Sequence, residues 1–441
     1  MDSTTQTQTA TPRTDVTGSS PDRSSGRPRV VILGGGFAGV GTAKKLKHAD
    51  ADVVVVDQNS YHMFQPLLYQ VATAMLDRSA IEDPLHHLFA DQSNVTVREG
   101  TVTGIDFDKR EVQFAEGAPL DYTYLVLALG ARVNFFGVEG AAENAFPLYT
   151  LEDAVRLKRH ISERWMAAER DPGLIDDGAL NAVVVGGGPT GVESAGALAE
   201  LYRGALRKDY PTLPPNKAQV TLVEAGPELF TMFKADLRSY ARRELEKRGV
   251  EVLVGEVVAS ITPSRVNLKS GRVLPAHTLV WGAGLQANPL TTSLGIDLQK
   301  GNRIAVGPDL SVAGHPEVFV VGDIAWITDT KTSQVLPQLG SVALQSGEKA
   351  GENIARRVAG QEPEPFVYTD KGTMATIGHG AAVMQMHRGR TIKGRAAWLA
   401  WGAVHLTLLS TGEDRSKAMT DWTWGEFTDR RADRISMRGA E

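Results

Sequence analysis

Residues 29–40 read "RVVILGGGFAGV", and this stretch decides the fold. The apolar residues 30–33 predict a buried strand, and Gly34, Gly36 and Gly39 follow them in the pattern G-x-G-x-x-G. This spacing suits a tight turn at Gly34, close backbone approach to a pyrophosphate at Gly36 and close helix packing at Gly39. The start of the following helix would then face the negative phosphates. The stretch therefore predicts a dinucleotide-binding unit.

The unit has an acidic partner and a second copy. Asp57 closes the next predicted strand, where a carboxylate can accept hydrogen bonds from ribose hydroxyls. The second copy, within residues 182–224, contains Gly186, Gly188, Gly191 and Glu224. Its acid lies further from its glycines than Asp57 does, because the loop 210–217 intervenes. Two independent copies indicate two bound nucleotides.

A natural pair of nucleotides for two such sites is FAD and a nicotinamide dinucleotide. Three strands that run into glycine turns support it, at residues 122–133, 278–289 and 316–326. Glu224 would repel a 2′-phosphate, and the following "AGPE" offers no Arg or Lys to offset the repulsion. NADH is therefore expected rather than NADPH.

The composition of the chain limits its partners and the chemistry that it can perform. The 441 residues suffice for two or three domains, and a net charge of -5 gives no reason to expect nucleic acid as a partner. The sequence contains no cysteine, which excludes disulfides and cysteine nucleophiles, and its histidines show no metal-ligand spacing. Electrons must therefore leave FAD directly for a diffusible acceptor. Residues 1–28, rich in Ser, Thr, Pro and Gln, predict a disordered tail without a secretory signal.

Four further stretches carry a family resemblance, which extends from about residue 29 to 435. They are "HMFQPLLYQVATAML" (62–76), "VVGGGPTGVESAGALAELYR" (184–203), "YTDKGTMATIG" (368–378) and "AAWLAWGAVHLTLL" (396–409). With the two nucleotide motifs, they resemble the type II NADH:quinone oxidoreductases of the two-dinucleotide flavoprotein superfamily. The resemblance implies NADH oxidation through non-covalent FAD, with two-electron transfer to menaquinone or ubiquinone and no proton pumping.

The resemblance also implies roles for particular residues. Asp323, in the Gly-Asp turn of 316–326, would hold the flavin ribityl chain. The expected FAD contacts are Gly34, Gly36, Phe37, Ala38, Gly39, Asp57, Gln65, Val102, Ala128, Gly130, Asp323 and Ala343. The expected NADH contacts are Gly186, Gly188, Gly191, Glu224 and Gly284. The expected catalytic residues are Glu193, Gln345 and Lys371, and the expected quinone contacts are Gln70, Ser341, Gln345 and Lys371.

One position departs from the family pattern. The family carries A-Q-x-A-x-Q, which places two glutamines on one helix face towards the quinone. Here the stretch 340–345 reads "GSVALQ", so Ser341 replaces the first glutamine and Gln345 is retained. Serine can donate a hydrogen bond but reaches less far, so the type of quinone, or the acceptor itself, can differ. The uncharged segment 62–76 is expected to wall the quinone channel, and its alternative is a buried connecting helix.

The predicted fold class is α/β, with two Rossmann-like domains and a C-terminal helical region. The FAD domain is expected to comprise residues 29–152 and 301–370, the NADH domain residues 153–300, and the C-terminal region residues 371–441. The apolar run 396–409 has 14 residues, about 21 Å of helix against about 30 Å of hydrocarbon.

Cations before this run, at Arg388, Arg390, Lys393 and Arg395, and tryptophans within and after it predict a helix lying in a membrane surface. The region 390–441 would then hold the protein peripherally on the cytoplasmic face of the cell membrane. The alternative is a helix buried against the domains or in a homodimer.

Two rival functions remain open. One is an NADH-dependent flavoprotein reductase that feeds a small redox protein or a specialised acceptor, which would suit Ser341 better than the family glutamine does. The other is a redox sensor or interaction protein that binds NADH and reoxidises slowly.

Overall fold

The structure is a computed structural model that describes residues 26–428, apart from the side chains of residues 215, 388 and 426–428. The predicted tail 1–28 therefore lies almost wholly outside the described residues, as does the end of the predicted anchor, 429–441.

The first glycine motif lies in a six-stranded sheet. In spatial order its strands are Ser311–Val312, His315–Val320, Tyr124–Leu127, Arg29–Leu33, Asp52–Asp57 and Val95–Glu99. All neighbouring pairs are parallel except the first, which is antiparallel. The central strand, Arg29–Leu33, is apolar because helices and loops cover both faces of the sheet.

The second glycine motif lies in a five-stranded parallel sheet. Its strands, in spatial order, are Phe146–Pro147, Thr278–Trp281, Ala182–Val185, Val220–Glu224 and Val250–Val254. The strand Phe146–Pro147 joins this sheet although it precedes residue 153, the predicted start of the NADH domain. The two parallel sheets confirm the predicted fold class, with two Rossmann-like units followed by C-terminal helices.

Smaller strands and the helices complete the fold. The strands of the small sheets are Tyr61–Met63 with Glu82–Pro84; Val102–Asp106 with Glu111–Phe114 and Leu120–Asp121; Ala131–Val133 with Leu285–Ala287; Val258–Thr262 with Arg265–Leu268 and Val273–Pro275; Leu298–Gln299 with Arg303–Ala305 and Ala325–Trp326; and Thr373–Gly378 with Ala381–Gln385 and Thr391–Gly394. The α-helices are Phe37–Lys45, Leu68–Ala72, Leu85–Leu88, Ala141–Asn144, Leu151–Arg170, Gly173–Asp176, Pro189–Leu201, Arg207–Asp209, Ala235–Lys247, Gly340–Val358, Arg395–Leu408 and Gly412–Thr428.

The helix that follows the first glycine turn packs closely against a helix from late in the chain. A Cβ atom on Gly347 of the helix Gly340–Val358 would lie 2.0 Å from the carbonyl oxygen of Ala38. The Thr42 hydroxyl donates to the Gly347 carbonyl oxygen at 2.9 Å and so joins the two helices. This contact fixes where the late helix begins relative to the glycine turn.

The C-terminal helices pack on one side and are exposed on the other. In the helix Arg395–Leu408, Ala397, Trp401 and His405 are buried, whereas Leu399 is 65% exposed. The alternative of a helix packed against the domains therefore holds for one face of this helix. Among residues 26–428, no helix combines the length and the apolar character that crossing a membrane requires.

Substitution of Gly347 by alanine is expected to destabilise the protein by about 1–3 kcal/mol or more, because the added methyl group meets backbone. The matched control is Gly204→Ala. A Cβ atom there would meet no atom within 4 Å, and the position lies in a helical turn, so alanine should keep the stability or raise it by up to about 1 kcal/mol. Urea unfolding followed by circular dichroism measures both variants. Equal stability of the two would contradict the close packing at Gly347.

Candidate active site

A cavity lies where the strands of the first sheet end. The residues that line it include Gly34, Gly36, Phe37, Ala38, Asp57, Gln65, Val102, Ala128, Gly130, Asp323, Gly340 and Ala343. The structure thus brings together all the residues predicted to contact FAD except Gly39, which lies behind the turn. Whether they contact FAD stays a prediction.

Three glycines of the first motif occupy different environments. A Cβ atom on Gly34 would lie 2.2 Å from the carbonyl oxygen of Ala128, and one on Gly39 would lie 1.8 Å from the carbonyl oxygen of Gly34. A Cβ atom on Gly36 would meet no atom within 4 Å, so its missing side chain leaves open space against the cavity. Gly34 and Gly39 shape the turn, and Gly36 leaves a cradle for a ligand.

Asp57 is held in a fixed orientation at the end of its strand. Its Oδ2 accepts a hydrogen bond from the Gly35 amide at 2.6 Å, and its Oδ1 accepts one from the Asn59 amide at 2.8 Å. Burial raises the pKa of Asp57, while these two N–H groups act against the rise. An oriented acceptor beside an open glycine cradle fits the ribose and phosphates of a dinucleotide.

Asp323 lines the same cavity from the other half of the sheet. Burial raises the pKa of Asp323, and the Tyr149 hydroxyl lies within 3.4 Å of its Oδ2 as a donor. The Ala131 amide donates to the Tyr149 hydroxyl at 2.9 Å. Tyr149 was not predicted from the sequence as a residue of this site. The signal nearest to it is the capping box formed by Thr150 and Asp153 at the start of the next helix.

The second glycine motif repeats the geometry of the first. A Cβ atom on Gly191 would lie 1.8 Å from the Gly186 carbonyl oxygen, and one on Gly188 would meet no atom within 4 Å. Glu224 accepts hydrogen bonds from the backbone amides of Gly187 and Gly226. The chain therefore holds two open cradles of the same design.

Gly284, predicted to contact NADH, lies beside an exposed aromatic ring. Its φ is +70°, and a Cβ atom there would lie 2.4 Å from the ring of Phe136. Phe136 is 64% exposed and was not predicted from the sequence. Only glycine suits this turn, because it needs both a left-handed backbone and an absent side chain.

Glu193 is partly buried on the first turns of the helix Pro189–Leu201. Its Oε1 accepts a hydrogen bond from the Thr376 amide at 3.0 Å. Burial raises the pKa of Glu193 to about 8, and the hydrogen bonds from Thr376 act against this rise. A carboxyl group with such a pKa can hold or release a proton near neutral pH.

The residues predicted to contact the quinone lie in two separate places. The Ser341 hydroxyl is 3.0 Å from that of Tyr368, and the Gln345 side chain exchanges two hydrogen bonds with the Thr369 backbone. Lys371 is exposed two residues further along the same segment. The structure therefore brings Ser341, Gln345 and Lys371 to one segment beside the cavity.

Gln70 has different surroundings. It is 3% exposed within the helix Leu68–Ala72, and both ends of its amide are already hydrogen-bonded inside the protein. The residues around it, Phe64 to Ala72, are largely buried, as the connecting-helix alternative expected. A quinone contact at Gln70 stays a prediction.

Comparison with known proteins defines the class first. The sequence profile described as pyridine nucleotide-disulphide oxidoreductase matches residues 28–347. The structure of NDH2 from Plasmodium falciparum in complex with NADH shares the fold, with a TM-score of 0.84 at 17% identity over 92% of this chain and 99% of that one.

Closer sequence relatives define the subgroup. Type II NADH:quinone oxidoreductase Ndh of Mycobacterium tuberculosis is 35% identical over 416 residues, covering 90% of this chain and 88% of that protein. Type II NADH:quinone oxidoreductase of Staphylococcus haemolyticus is 31% identical over 380 residues, covering 84% and 92%. The chain belongs to the type II NADH:quinone oxidoreductases, within the pyridine nucleotide-disulphide oxidoreductase family.

The substitution Gly36→Val is expected to weaken FAD binding about tenfold or more, because the branched side chain of valine fills the first cradle. The backbone at Gly36 is extended, so valine should leave the fold intact. The matched control is Gly188→Val in the second cradle, which should keep FAD and lose NADH binding. Flavin absorbance per polypeptide and NADH titration measure the two effects. Loss of flavin in both variants or in neither would contradict separate cradles.

Proposed function

We infer that the protein oxidises NADH through non-covalent FAD and passes two electrons to a quinone without pumping protons. The observation that carries this function is a pair of open glycine cradles in a chain that belongs to the type II NADH:quinone oxidoreductases. Bound FAD supplies the redox chemistry, accepting electrons from NADH and giving them to the acceptor.

The sequence excludes the disulfide chemistry after which the wider family is named. With no cysteine in 441 residues, the protein cannot relay electrons through a disulfide. Reduced flavin must instead meet its acceptor directly, and this requirement favours a quinone.

We propose that the first cradle holds FAD. Asp57 would accept hydrogen bonds from the ribose, and Asp323 would orient the ribityl chain from the opposite side of the cavity. The helix Gly340–Val358 begins at this cavity, where Gly340 and Ala343 line it. Its positive end would stabilise the anionic reduced ring. Residues 29–152 and 301–370 form the FAD domain in this proposal.

We propose that the second cradle, in residues 153–300, holds NADH. Gly186, Gly188 and Gly191 would leave room for the pyrophosphate, and Glu224 would accept hydrogen bonds from the ribose. Glu193, partly buried on the same helix, would hold a proton close to the reacting rings. Its high pKa lets it carry that proton at neutral pH.

Replacing Glu224 by glutamine is expected to reduce the preference for NADH over NADPH by about tenfold, because it removes the negative charge that repels a 2′-phosphate. The side chain keeps its shape and one acceptor oxygen, and the amide of Gly187 or Gly226 loses its partner. This loss weakens the binding of both nucleotides alike, so it cancels in their ratio. The ratio of kcat/KM for the two nucleotides, measured on one preparation of each protein, reports the change. An unaltered ratio would remove Glu224 from the recognition of the ribose.

The quinone, menaquinone or ubiquinone, would enter beside Ser341, Gln345 and Lys371. A small redox protein is the second candidate acceptor, and one observation favours it. Ser341 is shorter than the family glutamine and is already bonded to Tyr368.

Stopped-flow mixing separates these functions. The enzyme is reduced with NADH and then mixed with menadione. Rapid reoxidation supports the quinone reductase. Slow reoxidation by menadione with rapid reoxidation by a ferredoxin supports the second candidate. Slow reoxidation by both supports a sensor.

We propose that the protein lies peripherally on the cytoplasmic face of the cell membrane, in a form that can dimerise. Exposed apolar side chains on the two C-terminal helices support this location. They are Leu399, Leu408, Met419 and Trp424. Arg390 and Lys393 lie just before the first of these helices and Arg395 begins it, so all three can meet anionic headgroups.

Replacing both Leu399 and Trp424 by glutamate is expected to lower binding to phosphatidylglycerol vesicles about tenfold, because each glutamate would bring a charge into the apolar layer of the membrane. The control is Met232→Glu, which alters an apolar side chain that is 45% exposed and lies far along the sequence from these helices. Vesicle co-sedimentation measures the bound fraction. Equal binding by both proteins would place the membrane contact elsewhere.

A further inference from the structure

A continuous series of hydrogen bonds joins the last described helix to Glu193. The Trp422 indole N–H donates to Gln70 Oε1 at 2.7 Å, and Gln70 Nε2 donates to the Tyr69 hydroxyl at 3.0 Å. The Tyr69 hydroxyl is 2.8 Å from that of Thr376, and the Thr376 hydroxyl is 3.5 Å from Glu193 Oε1. We name these five residues the Trp422–Glu193 chain.

The inner members of the chain are shielded from water. Tyr69, Gln70 and Thr376 are 6%, 3% and 4% exposed. Buried hydroxyl and amide groups need partners, and in this chain each finds its partner in the next residue. The orientation of one group therefore constrains the orientation of its neighbour.

The two ends of the chain fix its direction. An indole N–H can only donate, so Gln70 must turn its carbonyl oxygen to Trp422 and its NH₂ group to Tyr69. Tyr69 then accepts from Gln70 and has its own hydrogen free for Thr376. Thr376 in turn directs its hydrogen to Glu193. Every hydrogen of the chain thus points towards Glu193 Oε1, which also accepts from the Thr376 amide.

Protonation of Glu193 weakens the bond at the end of the chain. Its Oε1 accepts from the Thr376 amide, so an added proton goes to Oε2, and Oε1 stays an acceptor but loses its charge. A hydrogen bond to a charged acceptor is stronger than one to a neutral acceptor. The chain therefore favours the ionised form of Glu193.

We propose that Trp422 is a positioning residue that acts through Gln70, Tyr69 and Thr376 to favour the ionised form of Glu193. The proposal rests on the proposed function for the role of Glu193 in turnover, whereas the hydrogen-bond chain itself does not. It assigns Gln70 to the support of Glu193 rather than to contact with the quinone. The C-terminal helix thereby influences the proton chemistry of the NADH half of the enzyme.

Other groups around Glu193 are engaged elsewhere. On its own helix, Glu200 is paired with Arg248 and accepts from the His379 amide. Glu224, at the end of a neighbouring strand, accepts from backbone amides. Tyr69 is the titratable group that shares the chain, and burial raises its pKa well above the ordinary value, so it stays protonated. Burial of Glu193 raises its pKa, and the chain opposes that effect.

Infrared titration of the FAD-loaded enzyme tests the proposal without turnover. The carboxylic C=O band that Glu193→Gln removes belongs to Glu193, and its pH midpoint should lie near 8 in the unaltered protein. In Trp422→Phe, Gln70 can turn over and accept from Tyr69, so protonation becomes easier. The midpoint should rise by about 0.5–1 pH unit, the equivalent of about one hydrogen bond.

Three variants make the result specific. Trp424→Phe, on the same helix and 53% exposed, should leave the midpoint unchanged. Tyr69→Phe interrupts the chain at its centre and should raise the midpoint by a similar amount. Trp422→Phe should then add little in the Tyr69→Phe background, because both act along one path.

Several outcomes would overturn the proposal. They are an unchanged midpoint in both Trp422→Phe and Tyr69→Phe, a fully additive double variant, and an infrared spectrum that Glu193→Gln does not alter. If Trp422→Phe does not fold, the shift in Tyr69→Phe alone decides. The steady-state NADH:menadione rate, measured separately, tests the proposed function. Loss of that rate with the infrared shift intact would reject the function and leave the positioning chain standing.

Discussion

Both nucleotide sites depend on a backbone contact that no side chain can enter. At Gly39 and again at Gly191, an added Cβ atom would lie 1.8 Å from the carbonyl oxygen of the first glycine of the motif. This approach places the start of each helix directly after its strand, with the middle glycine open to solvent. An acid then holds each turn by accepting an amide of the motif, Asp57 in the first sheet and Glu224 in the second. The two sites thus share the same local arrangement of backbone and acid.

The strand, the glycine turn and the acid of the first cradle could be predicted from the sequence because their signal is local, whereas Gln65, Asp323 and Ala343 came from the family resemblance. The strand, the turn and Asp57 follow each other within 29 residues, from Arg29 to Asp57, and the hydrogen bond from the Gly35 amide to Asp57 lies inside that unit. Distant segments gave weaker signals. Tyr149 reaches the cavity through its contacts with Ala131 and Asp323, and no periodicity in the sequence encodes those contacts. Contacts between side chains from distant parts of the sequence are set by packing rather than by a local motif.

The C-terminal helices show the same limit. The apolar run 396–409 indicated a helix, and the structure has one at Arg395–Leu408. Its composition could not separate the side that packs from the side that is exposed, because apolar residues occupy both. Trp422 was noticed only as one of several tryptophans near the end of the chain. Its partner, Gln70, lies in a segment that the family resemblance associated with quinone, so the hydrogen bond between them required the structure.

The strand order of the first sheet has a consequence for synthesis on the ribosome. The strand His315–Val320 pairs with Tyr124–Leu127, so the first sheet stays incomplete until the chain has grown past Val320. All strands of the second sheet lie between Phe146 and Trp281, so that sheet can close earlier. Domains fold as units while translation proceeds. The inserted unit can therefore be native while the first sheet is still incomplete, with the edge of the strand Tyr124–Leu127 not yet paired.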